Sequence, residues 1–152
     1  MTARLHKPLA WRLGLIAYVL SLATVGYWPS PVDELIHGTL DAMLMYLHGN
    51  GIPGWFDYRF VEASANVILF VPFGVLTAMA LPRKTWQQLA GIGLIASLCL
   101  EVGQLVFITA RFPTAMDVVT NTAGAVIGLA FARLVTPREF QGQAEVKNPL
   151  QP

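Results

Sequence analysis

Residues 64–81, SANVILFVPFGVLTAMAL, contain no charged side chain. This stretch is almost as long as the roughly 20 helical residues that cross a bilayer. Three further stretches, residues 9–28, 88–109 and 117–135, are almost as apolar. Segments of this length and polarity favour membrane-spanning helices over the helices of a soluble core. The sequence therefore predicts an all-α fold, a polytopic membrane bundle of four transmembrane helices.

The composition of the whole chain agrees with a membrane protein. Hydrophobic residues make up 55% of the 152 residues and charged residues 12%, about half the roughly 25% of an ordinary soluble domain. The net charge of +1 gives no sign of nucleic-acid binding, and the single cysteine excludes an internal disulfide. We expect one transmembrane domain, residues 1–137, followed by a polar, disordered cytoplasmic tail, residues 138–152.

The charged residues predict how the spans are oriented. If the N-terminus is cytoplasmic, only two of the ten basic residues, Arg59 and Arg111, lie outside, and seven of the nine acidic residues lie on the outer half. This asymmetry agrees with the positive-inside rule. The first span follows Arg4 and Lys7, as a signal peptide would, but we interpret it as an uncleaved transmembrane helix. We therefore expect a multi-pass protein of the inner (cytoplasmic) membrane with both termini cytoplasmic.

Residues 29–63 form the one long connection, which lies on the outer (periplasmic or extracellular) side in this topology. Ser30-Pro31 is typical of a helix start, and Gly49-Asn50-Gly51 of a helix stop. At about 100° per residue the helix is amphipathic, so we expect it to lie at the outer membrane surface. Its apolar face comprises Val32, Leu35, Ile36, Leu40, Met43, Tyr46 and Leu47, and its polar arc comprises Asp33, Glu34, His37, Asp41 and His48.

The polar arc has two interpretations. As a solvated stripe it accounts well for Glu34, Asp41 and His48. In the second interpretation Asp33 and His37, four residues apart, form a pair in which the carboxylate orients and charges the imidazole. The spacing alone does not decide between the two interpretations for that pair.

Polar side chains also occur inside three of the spans, near their outer ends. An ionisable group within hydrocarbon is costly unless it is paired or hydrated, so Glu101 predicts a functional site. Around it are amides, a hydroxyl and further charged groups on the second, third and fourth spans and the short outer loop. These residues are Asn66, Ser97, Gln104, Arg111, Asp117 and Asn121.

A network of interhelical hydrogen bonds that only holds the helices together explains the amides and the serine at least as well as a functional site does. It does not explain why several ionisable groups converge on one leaflet. Those groups are Asp33, His37, Glu101, Arg111 and Asp117.

Two features of the spans predict structure rather than chemistry. Pro72 should leave the carbonyl of Ile68 without its helical donor and bend the second span. Gly124 and Gly128 form a GxxxG pair, which predicts close packing against a neighbouring helix.

Four ordered motifs in these segments resemble VanZ-like membrane proteins, over about residues 33–134. The namesake of that family belongs to glycopeptide-resistance gene clusters and is associated with low-level teicoplanin resistance. Two positions depart from many relatives, since Glu34 replaces a lysine and Thr114 replaces an acid. The motifs are Asp33-x3-His37, Asn66-x3-Phe70-x-Pro72-Phe73-Gly74, Ser97-x3-Glu101-x2-Gln104 and Arg111-x5-Asp117-x3-Asn121-x2-Gly124.

The polar residues and the resemblance favour a protein that acts on, or binds, a lipid or a lipid-linked cell-envelope substrate, and the resemblance implies a contribution to teicoplanin resistance. As an enzyme it would use Glu101 as a general acid or base. His37, oriented by Asp33, would be a second one, and Asp117 would complete the catalytic set. Arg111 would anchor an anion. The substrate would be positioned by Asn66, Ser97, Gln104 and Asn121.

Other functions are compatible with the same residues. A non-catalytic binding or shielding protein would need the pocket but not the proton chemistry. A proton-coupled transporter is less favoured, because the inner half of the spans is almost purely apolar. A metal site of Asp33, His37, Glu101 and Asp117 is less favoured than a site without any cofactor, since these residues are far apart in the chain. We expect membrane lipids or a lipid-linked envelope precursor as partners and no nucleic acid.

The topology predicts that a reporter fused at Gly142 lies in the cytoplasm, because that position follows the fourth span. A pair of reporters that are active on opposite sides of the membrane measures this directly. A periplasmic or extracellular signal from Gly142 would contradict the predicted orientation.

Overall fold

The computed structural model describes residues 3–28, 37–108 and 114–136, and over these residues it contains five helices and no strand. The predicted all-α fold is therefore confirmed. The helices are α1 (Ala3–Gly26), α2 (His37–Gly49), α3 (Tyr58–Ala80), α4 (Trp86–Phe107) and α5 (Ala115–Val135).

Four of these helices are long and apolar enough to cross a membrane: Leu9–Gly26 within α1, and the whole of α3, α4 and α5. They correspond to the four predicted spans. One end of the bundle is formed by Gly26, Tyr58, Phe107 and Ala115, and we call it the outer end, after the predicted orientation. The opposite end is the inner end.

α3 begins at Tyr58, earlier than the predicted start of its span at residue 64. The carboxylate of Asp57 accepts a hydrogen bond from the backbone N–H of Phe60 at 2.9 Å, so Asp57 is the N-cap. Glu62, expected in the outer segment, therefore lies in the second turn of the helix. The apolar pattern misses this extension because a capping side chain, not hydrophobicity, determines where the helix begins.

The most extensive helix contact joins α3 to α5 and uses glycines on both helices. A Cβ atom at Gly124 would collide with the carbonyl oxygen of Val67, and one at Gly128 would collide with that of Val71. On α3, a Cβ atom at Gly74 would likewise collide with the backbone of α5, at Ala125. The close packing predicted from the Gly124–Gly128 pair is therefore confirmed.

α4 packs on a second face of α5. Gly93 lies against the side chain of Ala125. Nearer the inner end, Leu89 belongs to an apolar cluster with Leu129 and Ala132. The contacts run in opposite directions along the two helices, so α4 and α5 are antiparallel, and α5 lies between α3 and α4.

α1 packs mainly on α3. The hydroxyl of Tyr18 donates a hydrogen bond to the carbonyl oxygen of Leu69 at 2.7 Å. Pro72 lies inside α3, and the carbonyl expected to lose its helical donor there is that of Ile68. The hydroxyl of Tyr18 therefore bonds to the carbonyl of Leu69, the residue next to Ile68, whose carbonyl was the predicted acceptor.

Basic side chains lie at the inner ends of two spans. The Nε atom of Arg12 donates to the carbonyl oxygen of Ala80 at 3.4 Å, at the last residue of α3. The guanidinium of Arg133, in the last turn of α5, lies 4.9 Å from the ring centroid of Trp86. Cations are favourable at helix C-termini, so these residues stabilise the helix ends.

The end of α2 is as predicted: the chain leaves the helix through Gly51, whose φ of +93° favours glycine. The predicted start at Ser30-Pro31 lies outside the described residues. Leu44 is buried, whereas Met43 and Tyr46 of the predicted apolar face are 58% and 70% exposed. Leu40 and Leu47 of that face are half-buried, and its location at the membrane surface stays a prediction.

An aromatic cluster lies in the connection from α2 to α3. The ring centroid of Phe60 is 5.1 Å from that of Phe56 and 5.2 Å from that of Trp55. A ring nitrogen of His48 lies 3.1 Å from the carbonyl oxygen of Phe56. His48 is exposed, as expected of a solvated residue, and its imidazole also contacts the connection that follows α2.

We expect Gly128→Ala to destabilise the protein by about 1–3 kcal/mol, because the new methyl group would meet the backbone of α3. Gly91→Ala is the matched control. A Cβ atom at Gly91 of α4 would meet no other segment of the described chain within 4 Å, so this variant should be neutral or slightly stabilised. Thermal unfolding in one detergent measures both variants, and equal melting temperatures would contradict the backbone contact.

Candidate functional site

Six polar side chains lie in the outer halves of α3, α4 and α5, and we call them the polar layer. The most deeply buried of them are Ser97, which is 0% exposed, and Asn121, which is 4% exposed. Glu101 is 8% exposed. The polar layer consists of Asn66, Ser97, Glu101, Gln104, Asp117 and Asn121.

Glu101 forms a buried hydrogen bond between two spans. The Nδ2 atom of Asn121 donates to Oε1 of Glu101 at 3.2 Å. At about 1.5 Å per residue, Glu101 lies roughly 9 Å from the end of α4 at Phe107. A hydrogen bond in such a low-dielectric environment is electrostatically stronger than in water, so it orients the carboxyl group.

Both carboxylate oxygens of Asp117 accept hydrogen bonds. The Nδ2 atom of Asn66 donates to Oδ1 at 2.9 Å, which joins α3 to α5. Oδ2 accepts from the backbone N–H and from the hydroxyl of Thr114, at 2.9 Å and 2.8 Å. Thr114 is also the N-cap of α5, so the two residues form a capping box. These contacts are those of a positioning carboxylate, and the catalytic role of Asp117 stays a prediction.

Gln104 and Tyr27 hold the outer end of α1 against α4. The Nε2 atom of Gln104 donates to the carbonyl oxygen of Gly26 at 3.0 Å. The hydroxyl of Tyr27 donates to the carbonyl oxygen of Cys99 at 3.1 Å and lies against Gly103. The amide of Gln104 therefore contributes to helix packing as well as to the polarity of the layer.

The structure brings together part of the site that the sequence predicts. Glu101 meets Asn121, and Asn66 meets Asp117, whereas Ser97 is buried on the same face of α4 as Glu101. Three other predicted residues cannot be placed. Asp33 and Arg111 lie outside the described residues, as does the side chain of His37, the residue at which α2 begins.

Two contributing residues were not predicted from the sequence. Thr114 is the first of them: its capping role was not predicted, although Thr114-x2-Asp117 ahead of an apolar run is a capping signature. Tyr27 was not singled out, although aromatic residues at the end of a span are typical of the membrane interface.

Within the described residues, no group of three or more His, Cys, Asp or Glu side chains could hold a metal ion. Cys99 is a free, exposed thiol on α4. The carboxyl groups and amides of the described part of the layer can carry proton transfer and hydrogen bonding.

These features define a polytopic helical membrane protein with a buried carboxyl–amide layer in one half of the bundle. The model of the VanZ/LLP1 family matches residues 15–136, and the chain belongs to this family. The predicted resemblance is therefore confirmed, and the matched range includes the entire polar layer. Comparison with curated proteins and with solved structures gives no match.

We expect Asp117→Asn to lower the free energy of unfolding by about 1–3 kcal/mol. Its amide nitrogen would replace one carboxylate oxygen and face a hydrogen-bond donor, either the amide of Asn66 or the backbone N–H of Thr114. Thr114→Ser is the matched control, since it keeps the hydroxyl that caps α5 and should change stability little. Thermal unfolding in detergent or nanodiscs measures the difference. If Asp117→Asn melts at the temperature of Thr114→Ser, the carboxylate does not join α3 to α5.

Proposed function

We propose that the polar layer binds the head group of a lipid or lipid-linked cell-envelope substrate in the outer leaflet, and that Glu101 acts on it. The observation that carries this proposal is the buried hydrogen bond between Glu101 and Asn121 inside two membrane spans. Ionisable groups at such a depth are costly, which makes them functional candidates in membrane proteins.

The apolar surroundings of the polar layer favour a lipid as the substrate. The faces of α4 beside Glu101 are apolar and exposed, with Leu98 42%, Val102 58% and Leu105 65% exposed. Acyl chains fit such a surface, whereas amides and a carboxyl group suit the hydroxyl, amine or amide groups of a head group. A ligand with both parts is an amphiphile.

In this proposal Glu101 is the general acid or base, and Asn121 orients it. Asn66 and Asp117 position α3 against α5 and so shape the site. Hydrolysis by an activated water molecule, or transfer between two substrates, suits this set better than a covalent acyl-enzyme. The roles of His37, oriented by Asp33, and of Arg111 as an anion anchor remain those predicted from the sequence.

A non-catalytic binding or shielding protein is the second candidate, and the contacts of two other polar residues favour it. Asp117 accepts from Asn66 and Thr114, and Gln104 donates to the backbone of α1. Much of the layer thus has a structural use that requires no chemistry. Contribution to teicoplanin resistance would then come from holding the acyl tail of the drug or a lipid head group.

The experiment compares Glu101→Gln with Glu62→Gln, which removes a carboxylate from an exposed position near the outer end of α3. Catalysis predicts that Glu101→Gln lowers turnover about 10²–10⁴-fold, because a general acid or base is lost, while Glu62→Gln retains it. Native mass spectrometry of protein extracted from its own membrane identifies the bound lipid. Teicoplanin susceptibility and envelope-lipid composition of cells carrying each variant, at equal expression, report the activity.

The two candidates differ in outcome. Glu101→Gln that keeps its co-purified lipid but loses its effect in cells indicates an enzyme. Glu101→Gln that keeps both indicates a binding protein, because the amide is nearly isosteric with the carboxyl group. If the wild-type protein co-purifies with no lipid and Glu101→Gln has no effect in cells, the proposed function fails.

A further inference from the structure

Two buried hydroxyl groups, one on α4 and one on α5, have no hydrogen-bond partner in the described part of the chain. Ser97 Oγ and Thr122 Oγ1 are buried and make no hydrogen bond among the described residues. Ser97 is 0% exposed. Buried polar groups in proteins are nearly always hydrogen-bonded, either to protein or to an ordered water molecule. These two hydroxyls therefore point to something that they bind.

Five other hydroxyls of the same bundle behave differently. Serine and threonine in membrane helices usually donate to the carbonyl four residues earlier. This occurs at several positions, with donor–acceptor distances of 2.6–3.0 Å. Ser97 and Thr122 do not use that acceptor. The positions that do are Ser21, Thr24, Ser64, Thr120 and Thr136.

The helix register places Ser97 in the contact between α4 and α5. Gly93 lies against Ala125, and Glu101 bonds to Asn121. Ser97 is four residues from both Gly93 and Glu101, so it lies on the same face and midway between these two contacts.

The register also places Thr122 on the side of α5 that faces α4. At about 100° per residue, Thr122 lies roughly 60° from Ala125 and roughly 20° from Leu129. Leu129 clusters with Leu89 of α4. Thr122 directly follows Asn121, the partner of Glu101, and Ser97 is one turn from Glu101, so both hydroxyls lie within about one helical turn of the Glu101–Asn121 pair.

We propose that Ser97 and Thr122 bind one internal water molecule between α4 and α5, beside Glu101. An internal water molecule needs two to four polar partners, and two hydroxyls next to a carboxyl–amide pair provide them. A catalytic role for this water rests on the proposed function. In that role its oxygen bonds to the electrophilic centre of the substrate and its proton passes to Glu101. The bond from that centre to the leaving group breaks, and Glu101 returns the proton to the leaving group.

The first test is a crystal structure of the full-length protein in a lipidic phase, at a resolution that shows ordered water. We expect density within hydrogen-bond distance of both hydroxyls in the wild-type protein. It should be lost in the double variant Ser97→Ala, Thr122→Val. Thr77→Val is the matched control, because Thr77 Oγ1 is also buried without a partner in the described chain but lies three residues from the inner end of α3.

The inference is overturned if the wild-type protein shows no density there, or if a lipid hydroxyl occupies the position. It is also overturned if the two hydroxyls bond directly to Glu101 or to each other.

Thermal unfolding gives a second measurement. Removing a hydrated hydroxyl by Ser97→Ala should lower the melting temperature by about 2–4 °C. An unhydrated hydroxyl predicts a rise, because its removal relieves an unsatisfied buried group.

This test separates the inference from the proposed function. Water density together with full activity of Glu101→Gln keeps the water site and rejects its catalytic role. An absent water molecule together with an inactive Glu101→Gln rejects the water site and keeps Glu101 as the acid or base of a transfer reaction.

Discussion

The close backbone contact between α3 and α5 is the constraint on which the rest of the bundle depends. Gly74, Gly124 and Gly128 lack the Cβ atoms that would keep the two main chains apart. In a membrane the helices gain little from burying apolar surface, because lipid is apolar too, so close packing of small residues carries much of the association. α5 is also the helix on which α4 packs, through Gly93 and Ala125. The glycine contact thereby sets the position of three spans.

The polar layer follows from this packing. Asp117 and Asn121 are one turn apart on α5, about 6 Å along its axis. The first accepts from Asn66 of α3 and the second donates to Glu101 of α4, so one helix serves both pairs. A rotation of α5 by one residue, about 100°, would turn both side chains away from their partners. The orientation of Glu101 therefore depends on a contact between glycines and backbone elsewhere in the bundle.

The sequence predicted the parts of this arrangement that depend on local patterns. The apolar spans, the packing of Gly124 and Gly128 and the VanZ-like motifs are of that kind. The pairings were not predicted, because partners 51 and 20 residues apart are joined by helix packing that periodicity does not encode. The early start of α3 was missed because a single side chain, Asp57, caps it. Asp33 and Arg111 lie outside the described residues, so their part of the site stays a prediction.

The bond between Glu101 and Asn121 has a consequence for how the protein enters the membrane. Its two partners are carried by consecutive helices, which are joined by residues 108–114. Each helix carries one member of this pair into hydrocarbon, where an unsatisfied polar group is costly. If the two helices leave the insertion machinery as one hairpin, each brings the partner that the other needs. The residues of the site thus favour insertion of α4 and α5 into the membrane as one hairpin, before α5 packs on α3.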